Sequence, residues 1–223
     1  MTAATDPVTA RPLVTRACSA VEPLRVAVLA SGGGSNLQAL LDACGPQTPW
    51  RVVMVIVNVE GAFAVARATA AGVPVKVIPH KGRERAAHEA DVVAALVAAD
   101  VELVVLAGYM RVVTADFVAR FPRRIVNVHP AILPAFPGLH GARQALEHGC
   151  RVAGCTVHLV DAGVDTGPIL AQAAVTIADV DDEAGLQRRI QVEEHRLLPA
   201  VVTAYAEGRV LERAGAVRCH GVM

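Results

Sequence analysis

Residues 125–134 read Ile-Val-Asn-Val-His-Pro-Ala-Ile-Leu-Pro, an apolar strand that carries two polar side chains and stops at a proline. Positions two apart lie on the same face of a strand, so Asn127 and His129 point the same way. Pro130 has no backbone N–H to donate to a neighbouring strand, so the strand is expected to end there. Ligands of α/β proteins bind at the carboxyl ends of the strands. The stretch therefore predicts an amide and an imidazole that converge on a ligand site.

The chain around this strand alternates short β-branched runs with alanine-rich stretches of helical period. Such alternation is typical of βαβ units, and we predict an α/β fold with a Rossmann-like, mostly parallel twisted sheet and helices on both faces. The predicted strands cover 25–30, 52–57, 75–78, 103–107 and 125–128, and the predicted helices cover 35–44, 62–71, 86–99, 115–120 and 142–148. Two further strands, 155–160 and 169–177, predict an antiparallel C-terminal extension. A helix from Asp182 to about Leu198 should follow and be interrupted at Pro199.

The organisation of the 223 residues is predicted as a flexible leader over 1–24, a single domain over 25–209 and a C-terminal tail over 210–223. Basic and acidic residues both number 21, so the net charge is zero and no long-range field attracts nucleic acid or an anionic membrane. The five cysteines form no CxxC pair and their number is odd, which favours a reducing cytoplasm over a disulfide framework. No apolar run approaches the ~20 residues that a membrane helix needs.

A glycine-rich loop, Ser31-Gly32-Gly33-Gly34-Ser35-Asn36, joins the first predicted strand to the first predicted helix. Its backbone N–H groups and the helix dipole favour a phosphate group. The loop matches neither the dinucleotide fingerprint, because Leu37 replaces the last glycine, nor the P-loop. We therefore predict a site for a single phosphate. The alternative is a tight turn that needs glycine only for its backbone angles.

The loop after residue 160 adds a carboxylate to this polar set, because Asp165 lies between Gly163 and Gly167. A carboxylate beside His129 would favour the imidazolium, and histidine exchanges a proton close to neutral pH. Asn127 supplies a neutral donor for an oxyanion. The chain lacks a G-x-S-x-G nucleophile motif, so direct attack by a substrate amine is the simpler hypothesis. The alternative is a core histidine without a catalytic role, and His158 is interpreted as a buried residue that supports the loop.

Several further motifs accompany these residues. They are Leu-Ala-Gly-Tyr-Met-Arg at 106–111, Asn-Val-His-Pro-Ala-Ile-Leu-Pro at 127–134, Pro-Gly-Leu-His at 137–140, Thr-Val-His-Leu-Val at 156–160, Asp-Thr-Gly-Pro-Ile at 165–169 and Glu-Glu-His at 193–195. With Ser-Gly-Gly-Gly-Ser-Asn-Leu-Gln at 31–38, they make the chain resemble the phosphoribosylglycinamide formyltransferase family over about residues 25–209. The resemblance implies the formyltransferase fold. It also implies transfer of the formyl group of 10-formyltetrahydrofolate, a co-substrate, to the amine of glycinamide ribonucleotide in purine biosynthesis, with no metal.

The resemblance also implies roles for single residues. Asn127 and His129 would stabilise the oxyanion, Asp165 would pair with the imidazolium and assist proton transfer, and His158 would support the site. The residues implied in binding glycinamide ribonucleotide are Gly33, Gly34, Ser35, Asn36, Gln191 and Glu194, with Glu194 at the ammonium end. The residues implied in binding the folate are Met110, Arg111, Val112, Val113 and Asn127, with Arg111 facing the glutamate tail. The expected partners are these small molecules, without nucleic acid or membrane, and the expected state is a monomer or homodimer.

One departure from the family pattern stands at Gly141-Ala142, where many members carry Thr-His, so contacts of a second histidine are not expected. Three alternatives stay open. A formyltetrahydrofolate deformylase would use water as acceptor, but it carries an added regulatory domain in front. A methionyl-tRNA formyltransferase carries a further C-terminal domain and needs basic surface. A folate- or phosphate-binding module without catalysis would use the polar cluster only structurally.

Overall fold

The computed structural model describes residues 10–14 and 16–222. The strands are β1 (Arg11–Pro12), β2 (Leu24–Ala30), β3 (Trp50–Val57), β4 (Val75–Val77), β5 (Leu103–Leu106), β6 (Ile125–His129), β7 (Val152–Leu159), β8 (Ile169–Thr176), β9 (Val210–Arg213) and β10 (Ala216–Cys219). The helices are α1 (Ser35–Ala43), α2 (Ala64–Ala70), α3 (Arg85–Ala98), α4 (Ala115–Arg120), α5 (Gly141–Glu147) and α6 (Glu183–Ala206). The bounds of β2 to β8 and α1 to α5 agree with the predicted strands and helices to within a few residues, whereas α6 ends later than predicted and β1, β9 and β10 were not among the predicted strands.

The main sheet has seven strands in the order β4-β3-β2-β5-β6-β7-β8. The first five in this order are parallel, while β7 pairs antiparallel with β6 and β8 antiparallel with β7. The predicted fold class is therefore confirmed, including the antiparallel extension. From β2 the chain first builds outward through β3 and β4, and then crosses to β5 on the other side. This reversal creates a switch point at the carboxyl ends of β2 and β5, where open α/β sheets bind ligands.

Both faces of the sheet are covered by helices. One apolar cluster joins the sheet to α1, α2, α5 and α6 through residues such as Leu37, Ala68 and Leu197. A second cluster joins the other face to α3 and α4 through Leu96 and Phe117. Burial on both sides explains why the central parallel strands β2, β3 and β5 are nearly continuous apolar runs instead of alternating ones.

The helix α6 corrects one expectation, because it continues through Pro199 to Ala206. A proline inside a helix removes one hydrogen bond and costs ~3 kcal/mol. The side chains on either side, Leu198 and Val201, are fully buried, so packing against the sheet outweighs that cost. Thr203 Oγ1 also donates a hydrogen bond of 2.9 Å to the Pro199 carbonyl. No helix in residues 10–14 and 16–222 is both long and apolar enough to cross a membrane.

The two ends of the described chain form a small sheet of three strands in the order β1-β9-β10. Residues 11 and 12, which belong to the predicted leader, form β1, and residues 1–9 lie outside the described residues. The flexibility of the leader stays a prediction. Arg16 anchors the same segment with hydrogen bonds of 2.7 and 2.6 Å to the two carboxylate oxygens of Glu102. In the tail, Val210 and Val217 are buried in the main core. The division at 24/25 and 209/210 remains a prediction, although the tail packs on the domain.

The contact between β7 and β8 depends on Gly154, because a Cβ on this residue would lie 2.0 Å from the Ala173 carbonyl oxygen. We expect Gly154→Ala to lower the free energy of unfolding by about 1–3 kcal/mol, since the strands would have to separate. Urea denaturation measures this change. Gly45→Ala is the control, because a Cβ there meets nothing within 4 Å. Equal effects of the two substitutions would contradict the close approach of these strands.

Candidate active site

The carboxyl ends of β2, β5 and β6 meet at one edge of the sheet, where Ser31 N donates to the Gly108 carbonyl over 3.1 Å. The strand β6 ends at His129, as Pro130 predicts. A cavity of about 340 Å³ opens at this edge. Its lining combines Asn127, His129, His158 and Asp165 with the segment 108–113 and the loops 138–140 and 160–165.

The register between β6 and β7 explains how the polar side chains meet. Asn127 lies opposite His158, and His129 lies opposite Thr156. Directly opposite residues of an antiparallel pair project from the same face. Asn127 Nδ2 lies 3.1 Å from His158 Nε2, and His158 Nδ1 lies 2.9 Å from the Leu159 carbonyl oxygen. When Nδ1–H donates to that carbonyl, Nε2 accepts from Asn127 and orients the amide.

The imidazole of His129 is buried and held on both sides. Its Nε2 donates to the Phe136 carbonyl over 2.9 Å, and its Nδ1 lies 3.4 Å from Asp165 Oδ2. The ring is thus fixed between a backbone acceptor and a carboxylate. An oxygen therefore faces each ring nitrogen, so that both N–H groups of a protonated ring would have an acceptor.

The carboxylate of Asp165 lies between the two imidazoles. It accepts the Gly138 N–H over 2.8 Å, and its other oxygen lies 3.5 Å from His158 Nε2. Burial alone would raise the pKa of Asp165, but the neighbouring His158 side chain, the Gly138 N–H and the neighbouring His129 side chain outweigh it and lower the pKa. Asp165 is therefore anionic at neutral pH.

The backbone of Asp165 has φ +55°, in the left-handed region. Aspartate tolerates this conformation better than most residues, although it is uncommon for a residue with a side chain. Such conformations persist only where the surrounding structure enforces them. The sequence indicated the loop through its glycines but did not reveal this conformation.

The segment predicted to bind a folate forms one wall of the same cavity, with Met110, Arg111, Val112 and Val113 in its lining. Met110 and Val112 are exposed, whereas Val113 is buried. Ser31 connects this wall to the glycine loop, because Ser31 Oγ accepts the Met110 N–H over 2.8 Å. The Nε of Arg111 is buried and has no hydrogen-bond partner among the described residues. This cation therefore retains a donor at the wall.

The glycine loop was interpreted either as a phosphate site or as a tight turn, and its geometry bears on this choice. Gly34 has φ +70° and a Cβ there would lie 2.9 Å from Ala64 Cβ, so the turn into α1 requires glycine at this position. A Cβ on Gly32 or Gly33 would meet nothing within 4 Å. The turn therefore accounts for only one of the three glycines. Arg67, which the sequence did not single out, donates from Nε to the Gly33 carbonyl over 2.8 Å and brings a cation to the loop.

Two of the predicted substrate-binding residues are joined directly, since Asn36 Nδ2 donates to Glu194 Oε2 over 2.8 Å. Glu194 is buried, and burial raises its pKa against the lowering effect of this hydrogen bond. Asn36 Oδ1 is also buried and has no partner among the described residues. Gln191 lies one turn before Glu194 on α6, hence on the same helix face. The loop and α6 thus present a carboxylate and an amide together.

The helix α5 approaches the end of β6 at the departure from the family pattern. A Cβ on Gly141 would lie 2.7 Å from the Pro130 carbonyl oxygen, and Ala142 is buried. The small residues at these positions therefore allow the helix to pack directly on the residue that follows His129. Among the described residues, no group of three His, Cys, Asp or Glu side chains is arranged to hold a metal ion.

A larger groove of about 700 Å³ lies between α3 and α4. Its walls are mainly alanine and valine, and one of its two carboxylates, Glu89, is occupied by hydrogen bonds from the backbone N–H and the hydroxyl of Thr114. The lining of this groove includes no imidazole and no side-chain amide. The smaller cavity at the sheet edge is therefore the candidate site.

Comparison with known proteins agrees with this choice. Residues 24–202 match the family model described as formyl transferase. The chain is 50% identical over 186 residues to phosphoribosylglycinamide formyltransferase of Mycobacterium tuberculosis, which covers 82% of this chain and 86% of that protein. It is 49% identical over 191 residues to the trifunctional purine biosynthetic protein adenosine-3 of Drosophila melanogaster, covering 84% of this chain but only 14% of that longer protein.

Solved structures extend the similarity to the fold. Glycinamide ribonucleotide transformylase 1 from Symbiobacterium toebii superposes with a TM-score of 0.85 at 48% identity, over 88% of this chain and 94% of that one. The structure from Anaplasma phagocytophilum, a phosphoribosylglycinamide formyltransferase, gives a TM-score of 0.84 at 37% identity, over 89% of this chain and 95% of that one. The geometry, the matched family model and these relatives lead to one conclusion: the chain belongs to the formyl transferase family, among the phosphoribosylglycinamide formyltransferases.

Proposed function

We propose that the protein transfers the formyl group of 10-formyltetrahydrofolate to the amine of glycinamide ribonucleotide, a step of purine biosynthesis. The observation that carries the proposal is the convergence of Asn127, His129 and Asp165 on one cavity. These groups suit acyl transfer to a nucleophile that the substrate itself supplies. The wall formed by residues 110–113 and the glycine loop lie at the same sheet edge, where a folate and a phosphorylated amine could meet.

In the proposed reaction the bound ammonium first loses a proton to solvent water, and the neutral amine then attacks the formyl carbon. A C–N bond forms and the formyl oxygen becomes an oxyanion. One N–H of Asn127 is directed at His158, which leaves the second N–H for the oxyanion. His129 as imidazolium, beside the anionic Asp165, stabilises the developing negative charge electrostatically. The bond from the formyl carbon to the folate nitrogen then breaks, and the proton lost by the amine passes to that nitrogen with the assistance of Asp165.

The residues around the glycine loop fit the second substrate in this proposal. Backbone N–H groups of Gly33, Gly34 and Ser35 hold the phosphate at the N-terminus of α1, and Asn36 contributes its amide. Glu194 contacts the ammonium end, with Gln191 one turn away. The buried carboxylate attracts a cation strongly because little water screens it.

The co-substrate in this proposal lies against Met110, Arg111, Val112 and Val113. The exposed side chains of Met110 and Val112 offer apolar contact to the flat parts of a folate. Arg111 offers a guanidinium to the glutamate carboxylates. No metal takes part. The zero net charge supports small molecules as the partners instead of nucleic acid or membrane, and we propose a monomer or homodimer that acts in the cytoplasm.

The proposal is tested by mixing the protein with 10-formyltetrahydrofolate, with and without glycinamide ribonucleotide, and following tetrahydrofolate formation. We expect turnover only with the amine. Turnover with water alone would indicate a deformylase, and no turnover under either condition would overturn the proposed transfer and favour a binding protein.

Removal of the imidazole tests the catalytic cluster. We expect His129→Ala to lower kcat by about 10²- to 10³-fold, the usual effect of losing one group that stabilises an oxyanion. His220→Ala is the control, because His220 is exposed near the C-terminal end of the described chain. Steady-state rates of both variants measure the effect. If His129→Ala retains wild-type kcat, the cluster has only a structural role.

Substitution of the buried carboxylate Glu194 should change the free energy of unfolding and the KM for glycinamide ribonucleotide in ways that can be measured separately. The raised pKa of Glu194 means that its ionisation opposes folding once the pH exceeds the unfolded value, about 4.3 for glutamate. We expect Glu194→Gln to increase the free energy of unfolding at pH 7, with the gain vanishing below about pH 4, where both side chains are neutral. The same variant should raise KM for glycinamide ribonucleotide by about 10-fold or more.

The control for this experiment is Glu193→Gln, which removes a carboxylate that pairs with Arg196 at the protein surface. Its effect on stability should stay within about 1 kcal/mol at either pH. Denaturant unfolding at the two pH values and steady-state kinetics measure both changes. A loss of stability in Glu194→Gln at pH 7 would contradict the assigned direction of the pKa shift.

A further inference from the structure

A row of polar residues runs across the outer three strands of the main sheet. His129 on β6 lies opposite Thr156 on β7, and Thr156 lies opposite Gln172 on β8. The three side chains therefore project from one face of the sheet. Only the first of them lines the cavity, and β8 is the edge strand. The row therefore connects the site to β8, the outermost strand of the sheet.

The middle member of the row has every hydrogen-bonding position occupied. Thr156 is fully buried, and its hydroxyl donates to the Ala131 carbonyl over 2.7 Å. The same oxygen accepts the Leu133 N–H over 3.0 Å and a Gln172 Nε2–H over 3.0 Å. A hydroxyl has one hydrogen to donate and two lone pairs to accept with. Thr156 therefore ties the segment after His129 to the sheet at two backbone positions.

The outer member completes this attachment. Gln172 Nε2 also donates to the Leu133 carbonyl over 2.8 Å. Both polar backbone groups of Leu133 are thereby bound, the N–H to Thr156 and the carbonyl to Gln172. The two hydrogens of the Gln172 amide are both used. An exposed side chain on the edge strand thus holds the backbone of a segment that leads back to the active site.

The held segment carries the acceptor that orients His129. A short turn, closed by Ala135 N to the Ile132 carbonyl over 3.0 Å, separates Leu133 from Phe136. The Phe136 carbonyl accepts from His129 Nε2 over 2.9 Å, and Phe136 has φ +56°. A backbone in this left-handed conformation needs its neighbours to hold it. The hydrogen bonds that Thr156 and Gln172 make to the Leu133 backbone therefore support the position of the Phe136 carbonyl.

We propose that Gln172 is a positioning residue for His129: it fixes the segment 131–136 and through it the acceptor that sets the orientation of the imidazole. The effect on catalysis rests on the proposed function, whereas the effect on the imidazole does not. Two other contacts support the far side of Phe136, namely Gly138 N–H to Asp165 and the packing of the Phe136 ring on His148 at 5.1 Å between centroids. Loss of Gln172 should therefore weaken the orientation without abolishing it.

The first test replaces the amide by an apolar side chain of similar length. We expect Gln172→Met to lower kcat for formyl transfer about 3- to 10-fold, the range expected for one lost hydrogen-bonding group, with both KM values within about 2-fold of wild type. The ¹⁵N NMR signals of the His129 ring should shift, because Nε2 loses part of its hydrogen bond. Gln47→Met is the matched control, at an exposed position in the loop between α1 and β3. It should change neither quantity.

A second pair of variants, at Thr156, tests the same set of hydrogen bonds. Thr156→Val removes the hydroxyl at nearly constant shape and should shift the His129 signals in the same direction as Gln172→Met, whereas Thr156→Ser should keep wild-type signals and kcat. Unchanged ring signals in folded Gln172→Met would overturn the inference, even if its unfolding temperature fell. If the wild-type protein shows no transfer, the proposed function fails, and the ring signals still decide whether Gln172 positions His129.

Discussion

The antiparallel pairing of β6 with β7 is the constraint on which the site depends. The five parallel strands of the main sheet bring Asn127 and His129 to the carboxyl end of β6, and a parallel neighbour would present Thr156 and His158 to them in the reverse order. This register gives each catalytic candidate a polar neighbour on the same face. His158 orients the amide of Asn127, and Thr156 ties down the segment after His129. The loop after β7 then brings Asp165 back between the two imidazoles.

The electrostatics of the site place two carboxylates in opposite environments. Asp165 receives hydrogen bonds and faces two histidines, so its pKa is lowered in spite of burial. Glu194 has one hydrogen bond, from Asn36, and burial raises its pKa. The protein itself stabilises the anion of Asp165. The carboxylate of Glu194 has no positively charged partner in these contacts, so its anion is less well stabilised. In the proposed reaction the substrate ammonium pairs with Glu194. Without substrate, the unpaired buried carboxylate lowers the stability of the protein.

Several features could be predicted from the sequence because they depend on local chemistry. Pro130 ends β6 since proline has no N–H to donate, and the continuous apolar strands reflect burial on both faces. Other features escaped local reasoning. Pro199 is a helix breaker by its own chemistry, yet α6 passes through it because the helix is packed along the sheet on both sides of that residue. Residues 11 and 12 read as part of a leader, because their partner strand β9 lies about two hundred residues away in the chain.

The class of fold and the chemical groups of the candidate site follow from the residues alone, because strand period, proline and glycine act over a few residues and the motifs specify residue types. The hydrogen bonds that connect those groups depend on the three-dimensional fold. Gln172 and Phe136 carry no signal in the sequence, since an exposed glutamine and a backbone carbonyl are ordinary in isolation. Their part in the site arises only from the register of three strands and the path of one loop, and hydrogen bonds of 2.8 and 2.9 Å depend on such placement.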